Sequence, residues 1–252
     1  MIKAFIPNIL TALNLLCGCF SIAFAFQFQF EVVLILVLLG VLFDYLDGIV
    51  ARMLNAESEF GKHLDSLSDI VTSGVVPGII VYQLFKLSGN RITDFNLDLN
   101  LEPIVNLDLI FSISPIAFLA FIITLGSALR LAKFNTIDYT DEFEGLPTPA
   151  NALFFASFPI LMEHYYFLES KEYFLNNYTL ILLIVSSFIL MNVPFRLFSL
   201  RISLIKYDYN IFKILTVALS IPIILIFGIG GFCLIIILYL FLNVIRNLWS
   251  LI

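Results

Sequence analysis

Asp44-Tyr45-Leu46-Asp47-Gly48-Ile49-Val50-Ala51-Arg52, then eight residues, then Gly61-Lys62-His63-Leu64-Asp65-Ser66-Leu67-Ser68-Asp69, decides how this chain is read. Four carboxylates stand in or beside stretches apolar enough to cross a bilayer. An ionised Asp at the centre of a membrane helix costs roughly 2.5 to 3.5 kcal/mol on insertion scales. Four together call for compensating cations, so a metal site is the first expectation. At 3.6 residues per turn Asp44, Asp47, Gly48 and Ala51 share one helical face, and Gly61, Asp65 and Asp69 share another. Residues 53–60 are polar enough to form the turn. Two antiparallel helices would then present two carboxylates each across a narrow gap. Gly48, Ala51 and Gly61, small residues on the same faces, leave room for a ligand to approach the backbone.

The surrounding chain fits that placement. Of 252 residues, 61% are hydrophobic and only 13% charged, with a mean hydropathy of +1.03. A soluble domain carries about 25% charged residues, so the expected fold is an all-α, polytopic membrane bundle. Spans of about 20 apolar residues are expected at 7–27, 31–53, 64–87, 107–132, 148–168, 178–195, 211–228 and 230–248. Polar linkers occupy 88–106 and 133–147, Pro194 closes the sixth span, and Gly228, Gly230 and Gly231 fit a tight turn between the last two. Lys3 and the Ala23-Phe24-Ala25 run resemble a signal peptide, but Asn8, Thr11 and Asn14 interrupt the apolar stretch, which is read as a retained first helix. Cys17, Cys19 and Cys233 fit neither a CxxC motif nor a disulfide framework. The net charge of −6 and the lack of a basic cluster speak against nucleic-acid binding.

Lys and Arg set the orientation. With the amino terminus in the cytoplasm, Lys3, Arg52, Lys62, Arg130, Lys133, Arg196, Arg201, Lys206, Lys213 and Arg246 lie inside, and Lys86, Arg91 and Lys171 outside. Both termini are therefore expected in the cytoplasm. Asp44 then lies about 18 Å along the second span, in the cytoplasmic half of the membrane. A lipid headgroup reaches that depth from the side, and a soluble substrate reaches it from the cytosol. Carboxylates without Cys or His favour Mg²⁺ or Mn²⁺ over zinc, and paired divalent ions of that kind serve phosphoryl displacement.

The pattern from Asp44 to Asp69 resembles, at all eight fixed positions, the signature of the CDP-alcohol phosphatidyltransferases. Three further segments are similar to the membrane-integral phosphatidylserine synthases of bacteria: Pro7 to Gly18 (PNILTALNLLCG), Ala128 to Asn135 (ALRLAKFN), and Gly145 to Ala152 (GLPTPANA). The resemblance implies a six-helix catalytic core over 1–195, usually dimeric, with 196–252 as two additional spans used for packing or oligomer contacts. It implies transfer of a phosphatidyl group from CDP-diacylglycerol to L-serine with release of CMP. Asp44, Asp47, Asp65 and Asp69 would hold two divalent ions, and Asp69 would also be the general base. Four aspartates and a pyrophosphate diester total about −6, which two divalent ions reduce to −2. The nucleotide is expected against Asn8, Thr11, Asp47, Gly48, Ala51, Arg52, Gly61 and Ser66. The serine carboxylate needs a cation, for which Arg130 suits best because its guanidinium binds carboxylates bidentately. Lys133 stands beside it, and Asn135 either binds the amino group or braces the loop. Two other readings stay open: a different acceptor such as glycerol 3-phosphate, and a cation-coupled transporter, which accounts for the acids but not for Gly48, Ala51, Arg52 and Gly61 at fixed offsets.

Overall fold

Apolar runs of bilayer length satisfy their backbone groups internally only as helices, and helices dominate the computed structural model. It describes residues 2–88, 115–136, 143–194, 196–197 and 207–249. The loop expected at 88–106 beyond Ser88, the start of the fourth span at 107–114, and Arg91, Arg201 and Lys206 of the topology count lie outside the described residues. The helices are α1 (Ile2–Phe26), α2 (Phe30–Met53), α3 (Glu59–Asp69), α4 (Val76–Leu87), α5 (Phe121–Thr136), α6 (Thr148–Glu163), α7 (Lys171–Phe174), α8 (Asn177–Asn192), α9 (Tyr207–Phe227) and α10 (Gly231–Trp249). A π-helical turn, Ile70–Val75, joins α3 to α4, and a 3-10 turn, Pro115–Ala120, leads into α5. Two short strands, β1 (Phe143–Glu144) and β2 (Arg196–Leu197), pair antiparallel.

Among the described residues five helical runs are long and apolar enough to cross a membrane, or six when a bent pair is counted as one span. The longest run, Ile211–Asn247, is two crossings rather than one. In a continuous helix residues 223 and 231 would stand about 12 Å apart. Instead a Cβ on Gly231 would lie 3.1 Å from the Ile223 carbonyl oxygen. The chain therefore reverses at Gly228–Gly230, where Gly228 takes a positive φ of 57°, as the three glycines suggested. The fifth span ends earlier than the expected 168. Helix α6 stops at Glu163, His164 turns extended (φ −70°, ψ 144°), and Tyr165–Phe174 runs at 91° to α8. Tyr165, Tyr166 and Tyr173 are exposed there, the amphipathic chemistry of a membrane–water boundary.

The central element is the run Glu59–Leu87, in which 72% of an 18-residue spanning stretch is buried against 22–33% for the other four. Small residues let its neighbours close on it, the usual device of membrane helix packing. A Cβ on Gly18 of α1 would fall 2.6 Å from Thr72 Oγ1, and one on Gly40 of α2 would fall 2.8 Å from Thr72 Cγ2. Hydroxyls lock the crossing: Ser68 Oγ donates to the Thr11 carbonyl (2.9 Å) and Thr72 Oγ1 to the Asn14 carbonyl (3.1 Å). Carbonyls of the π turn accept hydrogen bonds from α5. Thr124 Oγ1 donates to Gly74 O (3.0 Å) and Ser127 Oγ to Ser73 O (3.3 Å). This fixes the register of α5, and hence of Arg130, against α3. Phe5, Leu16, Phe20, Ile35, Leu42 and Leu225 stay exposed on the outside of the bundle, where lipid would cover them.

Candidate active site

Helix α2 carries Asp44 and Asp47 one turn apart, and α3 carries Asp65 and Asp69. The turn between the helices spans 54–58, and Ser58 caps α3 by accepting from the Gly61 N–H (3.1 Å). The expected convergence is present. One carboxylate oxygen from each of Asp44, Asp47 and Asp65 lies within 4.8 Å of the others, and the Asp44 carboxyl also stands against that of Asp69. Asp47 is buried, and Asp44, Asp65 and Asp69 are half-buried. At 4.8 Å and an effective dielectric of 20, two ionised carboxylates repel by about 3.5 kcal/mol. Three such pairs favour a cation between the groups when they are ionised.

The donor set fits a hard divalent ion. All ligand atoms are oxygen, and Asp65 Oδ1 is buried with no hydrogen-bond partner among the described residues, so it is free to serve as a ligand. The group Asp44, Asp47 and Asp65 can hold a metal ion.

Helix α1 orders two of the four acids. Thr11 Oγ1 lies within donating distance of Asp47 Oδ2 and of the Pro7 carbonyl. Asn14 Nδ2 donates to Asp69 Oδ1 at 3.0 Å. Asn14 escaped the sequence reading, where it counted only as a polar interruption of an apolar stretch. Its position three residues beyond Thr11, on the same face of α1, was the available signal.

A cavity of about 760 Å³ opens over the acids. Its wall includes every expected nucleotide residue: Asn8, Thr11, Asp47, Gly48, Ala51, Arg52, Gly61 and Ser66. The Arg52 guanidinium lies over Gly48, 3.8 Å from where a Cβ would stand, and Asn8 Oδ1 lies 3.3 Å from the Cβ position of Gly61. From the acceptor set Arg130 and Asn135 line the cavity, with Leu131, Phe134 and the Pro147-Thr148-Pro149 segment. Arg130 Nη1 donates to the Met191 carbonyl (3.0 Å) at the end of α8. Asn135 Nδ2 donates to Ser66 Oγ (2.8 Å), and Lys62 Nζ to the Asn135 carbonyl (3.5 Å). Of the two roles left open for Asn135, its amide thus makes a brace between α5 and α3. Lys133 is exposed and lies outside the cavity wall, as does His63.

With this geometry, the comparison with known proteins is direct. The family model described as CDP-alcohol phosphatidyltransferase matches residues 4–192, which include the four acids and the cavity wall. The chain belongs to the CDP-alcohol phosphatidyltransferase family. Members of this family typically use divalent metals, in keeping with the oxygen-only cluster. The chain is similar to a CDP-diacylglycerol–serine O-phosphatidyltransferase of Helicobacter pylori, 30% identical over 168 residues, 66% of this chain and 61% of the relative. It is similar to a protein of the same name from Methanocaldococcus jannaschii, 37% identical over 127 residues, half of each chain. An archaetidylserine synthase of Methanothermobacter thermautotrophicus is 34% identical over 157 residues, 61% of this chain and 57% of the relative. The matches thus span between half and about three fifths of these relatives' lengths.

Proposed function

We propose that this phosphatidyltransferase family member joins the phosphatidyl group of CDP-diacylglycerol to L-serine, giving phosphatidylserine and CMP. The observation that carries the reading is the convergence of Asp44, Asp47 and Asp65 within 4.8 Å, in one cavity with Asp69, Arg52 and Arg130. The names of the relatives favour serine as the acceptor. The serine hydroxyl oxygen bonds to the phosphorus that carries diacylglycerol, and the bond from that phosphorus to the CMP oxygen breaks. The hydroxyl proton passes to Asp69. Two divalent ions held by the four aspartates would supply positive charge for the pyrophosphate and for the leaving CMP. Arg52 adds positive charge at the nucleotide side, beside Gly48. Asn8, Thr11, Ala51, Gly61 and Ser66 shape the nucleotide wall, and Arg130 pairs with the serine carboxylate. Lys133, outside the wall, adds to the local positive field.

The same reading places the site on the cytoplasmic side of the cell membrane, assigns 1–195 as the catalytic core and 196–252 as an added pair of spans, and includes a homodimer. The test is CMP release by purified protein in detergent with CDP-diacylglycerol, Mn²⁺ or Mg²⁺, and L-serine, with glycerol 3-phosphate in parallel. Serine-dependent release that Asp69→Asn abolishes is the expected result. Release with glycerol 3-phosphate alone moves the protein to another acceptor class. Folded, metal-binding protein that releases no CMP with either acceptor overturns the reading in favour of cation transport.

A further inference from the structure

Thr148 opens helix α6 and is 3% exposed, yet it lines the cavity. Its hydroxyl makes no hydrogen bond among the described residues, although buried polar groups as a rule have a partner. The start of α6 adds donors of the same kind. Pro147 precedes the helix without a side-chain cap, and the first N–H groups of a helix have no acceptor within it. Pro147 and Pro149 flank Thr148 in the cavity wall, so the helix begins at the cavity. The partial positive charge of such an end favours an anion.

Arg130 stands on the same side. A Cβ on Gly145, three residues before Thr148, would lie 2.9 Å from Arg130 Nη1, and that nitrogen donates to the Met191 carbonyl (3.0 Å). The Leu146 N–H donates to the Leu190 carbonyl (2.8 Å), and Ser187 Oγ of α8 donates to Asn151 Oδ1 of α6 (2.8 Å). Helix α8 is thus pinned to the approach and the first turn of α6, with the arginine bonded at its end. We propose that Thr148 is a specificity-determining residue of the acceptor site, its hydroxyl donating to the same amino-acid carboxylate that Arg130 pairs with. The inference rests on serine as the acceptor, and it adds the neutral donor that reads the carboxylate beside the cation. An acceptor without a carboxylate leaves the buried hydroxyl unpaired, which disfavours it.

The test compares Thr148→Val, which keeps the shape and removes the donor, with Thr148→Ser, which keeps the donor. Parent and variants are assayed for CMP release with CDP-diacylglycerol, Mn²⁺ and L-serine. Inhibition by L-alanine, which has the carboxylate and amino group but no hydroxyl, is measured alongside. In Thr148→Val the serine KM and the L-alanine inhibition constant rise together, about 10-fold. The kcat stays near the parent value, as expected for a contact made equally in ground and transition states. The KM for CDP-diacylglycerol and the Mn²⁺ affinity also stay, and Thr148→Ser restores the serine KM. A merely structural role would shift both KM values and Mn²⁺ affinity together, and that result overturns the proposal. So does a parent-like serine KM in active Thr148→Val. A raised serine KM with an unchanged L-alanine constant, or a parent that L-alanine does not inhibit, also overturns it, because Thr148 would not be reading a carboxylate. In each of these cases the parent still uses serine; a parent that releases no CMP with serine sinks the serine reading itself. Should Thr148→Val not fold, Thr148→Ala decides the matter by the same criteria.

Discussion

Thr11→Val separates the two jobs that α1 performs at the acid cluster. The Thr11 hydroxyl, 3% exposed, donates to Asp47 Oδ2. The Pro7 carbonyl, 3.1 Å away, is the weaker claimant because a charged acceptor makes the stronger bond. Valine fills the same volume and has no proton to give. Asp47 is itself 7% exposed, so water does not freely replace the lost donor. A hydrogen bond to a charged group contributes about 1.5–3 kcal/mol, a factor of roughly 10 to 150 in an equilibrium constant. Loss of a residue that orients a metal-binding carboxylate typically costs 10- to 100-fold in metal affinity. The two routes agree, and the expected effect is a Mn²⁺ dissociation constant raised about 30-fold. At saturating metal the same change removes about 2 kcal/mol of metal-linked stability. Mn²⁺ titration and thermal unfolding with and without excess Mn²⁺ measure both quantities, and Thr11→Ser should restore them. A dissociation constant within twofold of the parent in folded Thr11→Val would refute the reasoning.

Two further substitutions probe the acceptor side. Arg130→Ala removes the cation proposed for the serine carboxylate, so the serine KM should rise about 10- to 100-fold while the KM for CDP-diacylglycerol changes little; equal changes in both would remove Arg130 from the acceptor site. Gly145→Ala puts a Cβ 2.6 Å from the Met191 carbonyl oxygen and 2.9 Å from Arg130 Nη1, at a φ of +71°. The left-handed backbone alone costs about 1–2 kcal/mol with a side chain. Thermal stability should fall and the serine KM rise with it, and Gly145→Asn, which tolerates positive φ but also carries a Cβ, should not recover the KM.

The carboxylate cluster was legible in the sequence because its information is local. Asp44 and Asp47, like Asp65 and Asp69, are set on one face by helical period alone, and the short polar turn at 54–58 leaves α2 and α3 little choice but to face each other. Gly48, Ala51 and Gly61 line the cavity for the same reason: a small residue one turn from an acid leaves room at that acid. What the period cannot give is depth and rotation between helices distant in sequence. Asn14 meets Asp69 across 55 positions, and Asn135 meets Ser66 across 69. Those pairings depend on Gly18 and Gly40 closing on Thr72 and on the π turn at Ile70–Val75, which shifts the register of everything after Asp69. Lys133 shows the same limit from the other side. Lys133 is exposed and outside the cavity wall, whereas α5, held at Thr124, Ser127 and Asn135, brings Arg130, Leu131, Phe134 and Asn135 to it.

The π turn also accounts for how an apolar bundle tolerates four acids. Pro77, just past the six-residue turn, has no N–H to give the carbonyls behind it, and in a membrane such groups need a donor. Thr124 and Ser127 supply donors from α5, so the helix that carries Arg130 is bonded into the backbone directly below Asp69. Thr72, inside the same turn, bonds α1 at Asn14. One irregular turn therefore joins the helix that orients the acids to the helix that carries Arg130. Neither can shift along its axis without breaking buried hydrogen bonds, each of which would leave a polar group in an apolar surrounding at a cost of several kcal/mol. Carboxylates that repel one another by about 3.5 kcal/mol per pair would otherwise push α2 and α3 apart. Bonding both flanking helices to the central span resists that push until a cation removes it.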